Sequence, residues 1–451
     1  MTSERHRLGG MAGFLIVWLG QIISVLASGM TQFALTIWMY QQTSSATALG
    51  LMQVFYIVPF LVISPIAGVM VDRYNRKLMM MISDLAAGLG TVAILVLQSQ
   101  GRLEFWMLYF VSALIGLGGA FQWPAYSAAI STMIPKEHYG RANGLMTLME
   151  AGPGVVAPLL AGALLPIVGL TGILAFDVIT FVLAIGALLI VHVPQPPKTV
   201  EGQKESGNFF KEALYGFSYI FARPSLLGLQ LVFMIGNLFT GIGFTVLAPM
   251  VLERTSNNAA ALGAVMTAGA VGAVVGGIGM SIWGGFKRRV HGVLGGWIVT
   301  GLGFAMFGLG QTLPVWILFA MVASLVGPLI NASNQSIWMA KVAPDVQGRV
   351  FSSRRLIAWS TQPISPIIAG TLADFVLEPA MTTGNGALPT LFGPLVGTTS
   401  GSGMSLLIVF CGIGAALVGI VGYYVGTIRN AEDILPDHDT IEKLEVSPAA
   451  A

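Results

Sequence analysis

IPKEHYGRANG, residues Ile134 to Gly144, and VAPDVQGRVFS, residues Val342 to Ser352, decide the fold. Gly140 and Arg141 of the first stand 208 residues before Gly348 and Arg349 of the second, and the same offset carries APLLAG (Ala157 to Gly162) onto SPIIAG (Ser365 to Gly370). Nearer the start of each copy, TSSATALG (Thr43 to Gly50) resembles TSNNAAALG (Thr255 to Gly263), followed in both by an apolar stretch and then a basic cluster. Three landmarks in the same order mean a duplicated chain.

Composition says what each copy is made of. Only 9% of the 451 residues are charged, against about 25% in soluble domains, while 55% are hydrophobic and the mean hydropathy is +0.79. A water-soluble globule is excluded. The net charge of +2 is too balanced for a nucleic-acid binder, whose phosphate contacts need clustered basic charge. The single cysteine, Cys411, cannot form an internal disulfide and reads as a small buried residue.

A helix crossing the hydrocarbon layer needs about 20 mainly apolar residues. Twelve stretches qualify, with approximate limits 12–40, 47–71, 78–98, 105–134, 142–165, 169–192, 225–252, 259–283, 290–309, 314–342, 350–377 and 403–427. The first is too long for a removed signal peptide and is expected to remain as span one. The expected organisation is an all-α membrane protein: a six-helix bundle over 1–192, a linker over 193–224, a second six-helix bundle over 225–427 and a tail over 428–451. Within the linker, NFFKEALYGFSYIFARP places Phe210, Ala213, Leu214, Phe217, Ile220 and Phe221 at helical spacing, which predicts an amphipathic helix on the membrane surface. The connection 378–402, rich in Gly, Thr and Pro, carries no recognisable chemistry.

Loops facing the cytoplasm retain Lys and Arg. With these spans, the two tails, the even-to-odd loops and the span ends bordering them hold all the basic residues except Arg102 and Arg254 out of 22. Both termini are therefore expected in the cytoplasm. Duplicated halves around a central site, with access alternating between the two sides, are the usual build of secondary transporters.

The run ISPIAGVMVDRYNRKLMMM, Ile63 to Met81, resembles the loop signature of the major facilitator superfamily: Gly68, then Asp72 and Arg73, then the basic pair Arg76 and Lys77. Asn75 replaces the usual glycine and is a residue that also tolerates left-handed backbone. The second copy, GGFKRRV, keeps Lys287, Arg288 and Arg289 but lacks the acid. VWLGQIISVLASG in span one, SDLAAG in span three, FDVITFVLA in span six and the tail NAEDILPDHD resemble the proton-coupled drug-exporter branch that includes macrolide efflux proteins and the enterobactin exporter. The resemblance spans nearly the whole chain. It implies the major facilitator fold and a multi-pass protein of the bacterial cytoplasmic membrane. GPGVVAPLLAG, Gly152 to Gly162, only partly matches the antiporter signature of that superfamily.

In the resemblance, the basic loops form a cytoplasmic gate comprising Gly68, Asp72, Arg73, Arg76, Lys77, Arg141 and Arg349. Asp72 can pair with Arg73 or Arg76, or sit at the positive end of the following helix, latching the gate in one state. The plainer reading is topology alone, but positive-inside bias does not call for an acid.

Acids inside apolar spans are expensive to keep charged and are functional candidates by default. Glu150 and Asp177 are the candidates for proton coupling, with Asp84 the third or a member of the gate network. The alternative for each is a structural hydrogen bond between helices. Asp374 lies near the end of span eleven and reads as interfacial.

The spans that line the central path in this superfamily are the first, fourth, seventh and tenth. They carry Gln21, Ser24, Ser28 and Thr31; Trp123 and Tyr126; Asn237 and Thr240; and Asn331, Asn334, Gln335 and Trp338. Uncharged amides beside aromatic faces suit a bulky amphipathic ligand. With acids but no cation expected at depth, neutral or weakly basic compounds fit better than anions.

No HExxH pair and no GxxxxGK[ST] loop occurs, and the five histidines fall at span ends or in tails, so an enzyme is not expected. Neither a metal nor a cofactor is implied. The expected partners are a small-molecule substrate, protons and the lipid bilayer, with the protein a monomer. A lipid-like molecule or a siderophore is the alternative cargo, and a channel fits two halves with paired gates poorly.

Overall fold

The computed structural model describes residues 10–134, 139–192, 209–342, 346–383 and 386–437, and the regular elements among them are all helical. The first copy gives α1 (Gly10–Thr43), α2 (Ala46–Arg73), α3 (Arg76–Ser99), α4 (Met107–Met133) and α5 (Tyr139–Ile190). At 52 residues α5 is twice the length of a crossing, and it turns at Gly169, whose φ of 67° and ψ of 178° suit a residue without a Cβ. Spans five and six therefore follow each other through a single tight glycine turn.

The second copy begins with the linker helix α6 (Phe209–Phe221) and continues through α7 (Pro224–Arg254), α8 (Ala259–Trp283) and α9 (Arg289–Leu309). Span ten is two helices, α10 (Leu313–Leu325) and α11 (Gly327–Lys341), because Pro328 has no N–H to continue the first. Span eleven breaks over 360–363 between α12 (Gln347–Trp359) and α13 (Ile364–Leu372), then runs through a π-helical turn at Ala373–Leu377 into α14 (Glu378–Thr382). The connection 378–402 contains α15 (Ala387–Val396), whose Phe392 meets Phe410 edge-on at 5.5 Å. Phe410 lies on α16 (Ser402–Tyr424), which is followed by the short α17 (Gly426–Arg429) and α18 (Ala431–Ile434).

Among the described residues, ten helices are long and apolar enough to cross a membrane. One of them holds spans five and six, and Met107–Gln122 is a further, shorter apolar helix, so each of the twelve expected crossings has a helical counterpart.

Both copies start corresponding helices in the same way. The helices α5 and α12 begin at Tyr139 and Gln347, the 208-residue offset of the sequence repeat. Ser45 accepts the amide of Ala48 at 3.1 Å at the start of α2, and Asn258 accepts that of Ala261 at 3.1 Å at the start of α8, so each satisfies an otherwise orphaned N–H. The repeated TSS and TSNN segments are thus helix caps.

The chain divides into two compact units, Met1–Lys198 with Val251–Thr267, and Thr199–Met250 with Ala268–Ala451. In the first, the segment Val251–Thr267 is held by the Tyr40 hydroxyl, which donates to Glu253 at 2.8 Å, and by Thr267, which donates to the Val155 carbonyl at 3.0 Å. In the second, α8 lies so close to α10 that a methyl group at Gly276 would overlap the Leu325 carbonyl. The linker helix α6 is packed into its own unit through Ile220, which is fully buried with Leu226, Trp338, Val342 and Val350.

Candidate functional site

The polar stripe of α1 is spent on two buried acids of the first unit. Gln21 donates its amide to Asp84 on α3 at 2.6 Å, and Gln122 on α4 reaches the other carboxylate oxygen at 3.4 Å. Ser28 donates to Asp177 on α5 at 2.9 Å, and Thr91 on α3 donates to its second oxygen at 3.1 Å. Asp84 is 9% exposed and Asp177 only 2%. Among the described side chains no Lys or Arg pairs with either acid. Each carboxyl is held by hydroxyls and amides alone, donors that do not fix its charge as a buried cation would.

Gln21, Ser28 and Asp177 were assigned to cavity and coupling roles separately, and the structure brings them together with Asp84. Thr31 is buried on the same helix and Ser24 is half-buried between them. Tyr126 is 3% exposed, with a buried hydroxyl that lacks a partner. The assignments to Gly68, Asp72, Arg73, Trp123, Arg141, Glu150 and Arg349 fall outside the described side chains; their backbones place Asp72 in the last turn of α2 and Arg141 and Arg349 in the first turns of α5 and α12. Asn75 is extended, with φ −63°, and accepts the amide of Leu78 at 3.2 Å. It caps α3 and makes no left-handed turn. Lys77 donates to the carbonyls of Leu189 and Val191 at 3.0 and 2.8 Å, tying α3 to the end of α5.

The second unit holds an open cavity of about 450 Å³. Asn237, Thr240 and Asn331 line it, joined by the aromatic faces of Phe233, Trp297 and Phe304 and by Gln362. No Lys, Arg, Asp or Glu is among its lining residues. Asn237 donates to the Ala358 carbonyl at 3.2 Å, a group close to the break in span eleven. Non-helical backbone is tolerated at membrane depth where protein or a cavity covers it, and here the break turns Gln362 into the cavity wall. The indole N–H of Trp297 is buried without a partner.

The other members of the span-ten stripe point elsewhere. Asn334 and Trp338 are buried and bond to each other at 3.0 Å. Gln335 accepts Arg354 at 2.7 Å, and the Arg354 guanidinium lies 5.3 Å from the centroid of the Trp338 ring. Arg354, which belongs with the loop basics, is the second residue of the apolar stretch Ser353–Thr382 and so stands at its end. It does not line the cavity. Gln230 donates to the Arg354 carbonyl at 2.9 Å.

Sequence reasoning missed Thr91, Gln122, Gln230, Trp297, Phe304, Gln362 and the hydrogen bond of Arg354 to Gln335. Gln230 was accessible: at an offset of 209, Gln21, Ser28 and Thr31 fall on Gln230, Asn237 and Thr240. Trp297 and Phe304 are aromatic residues in an apolar run, where packing and cavity positions share one pattern. Among the described residues no three His, Cys, Asp or Glu side chains gather as a metal site.

Two units of membrane-spanning helices, one with caged acids and one with a cavity, define a class that comparison identifies directly. Residues 17–366 match the family model of the Major Facilitator Superfamily, and the chain belongs to that family. It is a membrane transporter and not an enzyme. Among its relatives, macrolide efflux protein A of Streptococcus pyogenes is 25% identical over 367 residues, covering 80% of this chain and 89% of the relative. The enterobactin exporter EntS of Escherichia coli is 25% identical over 406 residues, covering 88% and 89%. A bacterial homologue of the human lysosomal transporter Spinster shares the fold, with a TM-score of 0.70 at 17% identity over 97% of this chain and 100% of the other.

Proposed function

We propose that the protein exports small amphipathic compounds across the bacterial cytoplasmic membrane in exchange for protons, working as a monomer by alternating access. The observation that carries this reading is the cavity of the second unit, where amides and aromatic faces surround about 450 Å³ with no charged side chain. Such a lining holds a bulky, largely uncharged molecule by shape and a few hydrogen bonds. Efflux as the direction is supported by the named activities of the two relatives. Cytoplasmic placement of both termini is supported by the basic residues, which favour one side of the predicted topology except for Arg102 and Arg254.

Protons enter through Asp84 and Asp177. Each has an uncharged hydrogen-bonding cage anchored on α1, so gain or loss of a proton alters how tightly α1 is held to α3 and α5. Glu150, a coupling candidate on sequence grounds beside Asp177, remains one, although its side chain lies outside those described.

Purified protein in vesicles, given a labelled macrolide and an imposed pH gradient, tests the reading. Gradient-dependent accumulation is expected; movement indifferent to the gradient contradicts proton coupling. A siderophore is the second reading, favoured by the extended match to the enterobactin exporter. Competition by enterobactin without competition by macrolides would select it.

A further inference from the structure

The basic loop GGFKRRV of the second copy has no acid of its own, whereas the tail beyond the last span is acidic. The structure puts these two facts in one place. Asp433 pairs with Arg288 at 2.6 Å, and Glu432 accepts the backbone N–H of Val290 at 2.9 Å in the first turn of α9. A carboxylate is favoured there by the positive end of the helix, and Arg288 at the N-cap offers no side-chain cap itself. Arg289 donates to the Ser336 carbonyl at 3.1 Å, tying the same loop to α11.

The tail is anchored as well as paired. Lys341, the last residue of α11, has a side chain only 5% exposed and meets Asp437 at 2.8 Å. Its ammonium also donates to the carbonyls of Glu432 and Leu435, so this set of acceptors comes entirely from the tail. Ile428 and Ala431 are buried in one apolar cluster with Leu229, Val290 and Trp297. The exposed pair Arg288–Asp433 alone contributes little. A buried lysine deprived of its acceptors is a larger loss.

We propose that the acidic turn Glu432–Asp437 is the carboxylate half of the second bundle's basic loop. Glu432 and Asp433 are positioning residues for α9, and the turn's grip on Lys341 positions α11, the two helices that bring Trp297 and Asn331 to the cavity. Because its anchors lie within one compact unit, the turn stays seated on that bundle throughout the transport cycle.

The test is made in full-length protein carrying Cys411→Ala, with Arg288→Cys and Asp433→Cys joined by a short reducible bis-thiol-reactive linker. Cross-linking is read on gels from the purified chain, independently of any transport, and should be nearly complete. Cross-linked protein should move a labelled macrolide within about twofold of its rate after reduction, as expected for groups fixed within one rigid element. Lys341→Met should lower turnover about fivefold and raise the KM for the macrolide about threefold, and Lys341→Arg should restore both, as expected for a group that positions the helix carrying Asn331. Absence of cross-linking, transport blocked by the cross-link, or normal turnover in Lys341→Met would each overturn the proposal. If the cross-link forms but the unsubstituted protein moves no macrolide, the cargo assignment fails and the seated tail stands.

Discussion

At an offset of 209 residues the opening helices of the two copies carry Gln21 and Gln230, Ser28 and Asn237, and Thr31 and Thr240, yet these pairs meet different partners. On α1, Gln21 and Ser28 donate to the carboxylates of Asp84 and Asp177. On α7, Gln230 and Asn237 donate to the backbone carbonyls of Arg354 and Ala358 in span eleven. One duplicated stripe has become a cage for acids in the first unit and a support for a broken, cavity-lining helix in the second. Under the proposed function the units divide the labour: the caged acids proposed to carry protons lie in one and the proposed ligand cavity in the other. Their basic loops differ in the same sense: the first contains Asp72, whereas the second takes its carboxylates from the tail.

This contrast is exposed to direct attack. The largest effect is expected from Asp84→Asn combined with Asp177→Asn: gradient-driven accumulation of the probe in vesicles should fall about a hundredfold, while exchange of probe across the membrane continues, because only the proton-binding groups are lost. Glu150→Gln, assayed alongside, shows whether a third acid shares that work. Next comes Asp72→Asn, which should lower transport about tenfold at unchanged membrane abundance by removing the acid proposed to latch the first loop. Wild-type rates in that variant would reduce the loop to a topology signal. Trp297→Ala and Asn331→Ala should each raise the KM for the probe about fivefold and leave proton movement intact, since both side chains line the proposed ligand cavity of the second unit. The smallest change is expected from Gln230→Ala, a loss of about 0.6 kcal/mol in unfolding stability, the typical worth of one interhelical hydrogen bond in a membrane. A larger loss, accompanied by altered ligand binding, would mean that span eleven depends on that amide for its break.

What could be read from the chain differs between these regions for a physical reason. Span number and the duplication depend on local composition and on the repeat itself, so they were legible. The buried acids were legible too, since an ionisable group in an apolar run stands out against the cost of burying it. Their partners were not. Gln122 and Thr91 face Asp84 and Asp177 only through helix packing, and nothing in their own neighbourhoods marks that direction. Arg354 lies five residues from Arg349, and counting basic residues by loop assigns both to one connection, although the first bonds to Gln335 inside the bundle. The tail was visible as an acidic segment, but its docking depends on Lys341, some 90 residues earlier in the chain.

Proton movement measured with substrate movement in the same vesicles tests the division of labour most directly, using a pH-sensitive dye and a labelled macrolide. Asp84→Asn with Asp177→Asn should abolish probe-dependent proton movement while leaving probe exchange, whereas Asn331→Ala with Trp297→Ala should weaken probe binding while each molecule moved still carries its protons. Probe-dependent proton movement surviving loss of both acids would contradict the account.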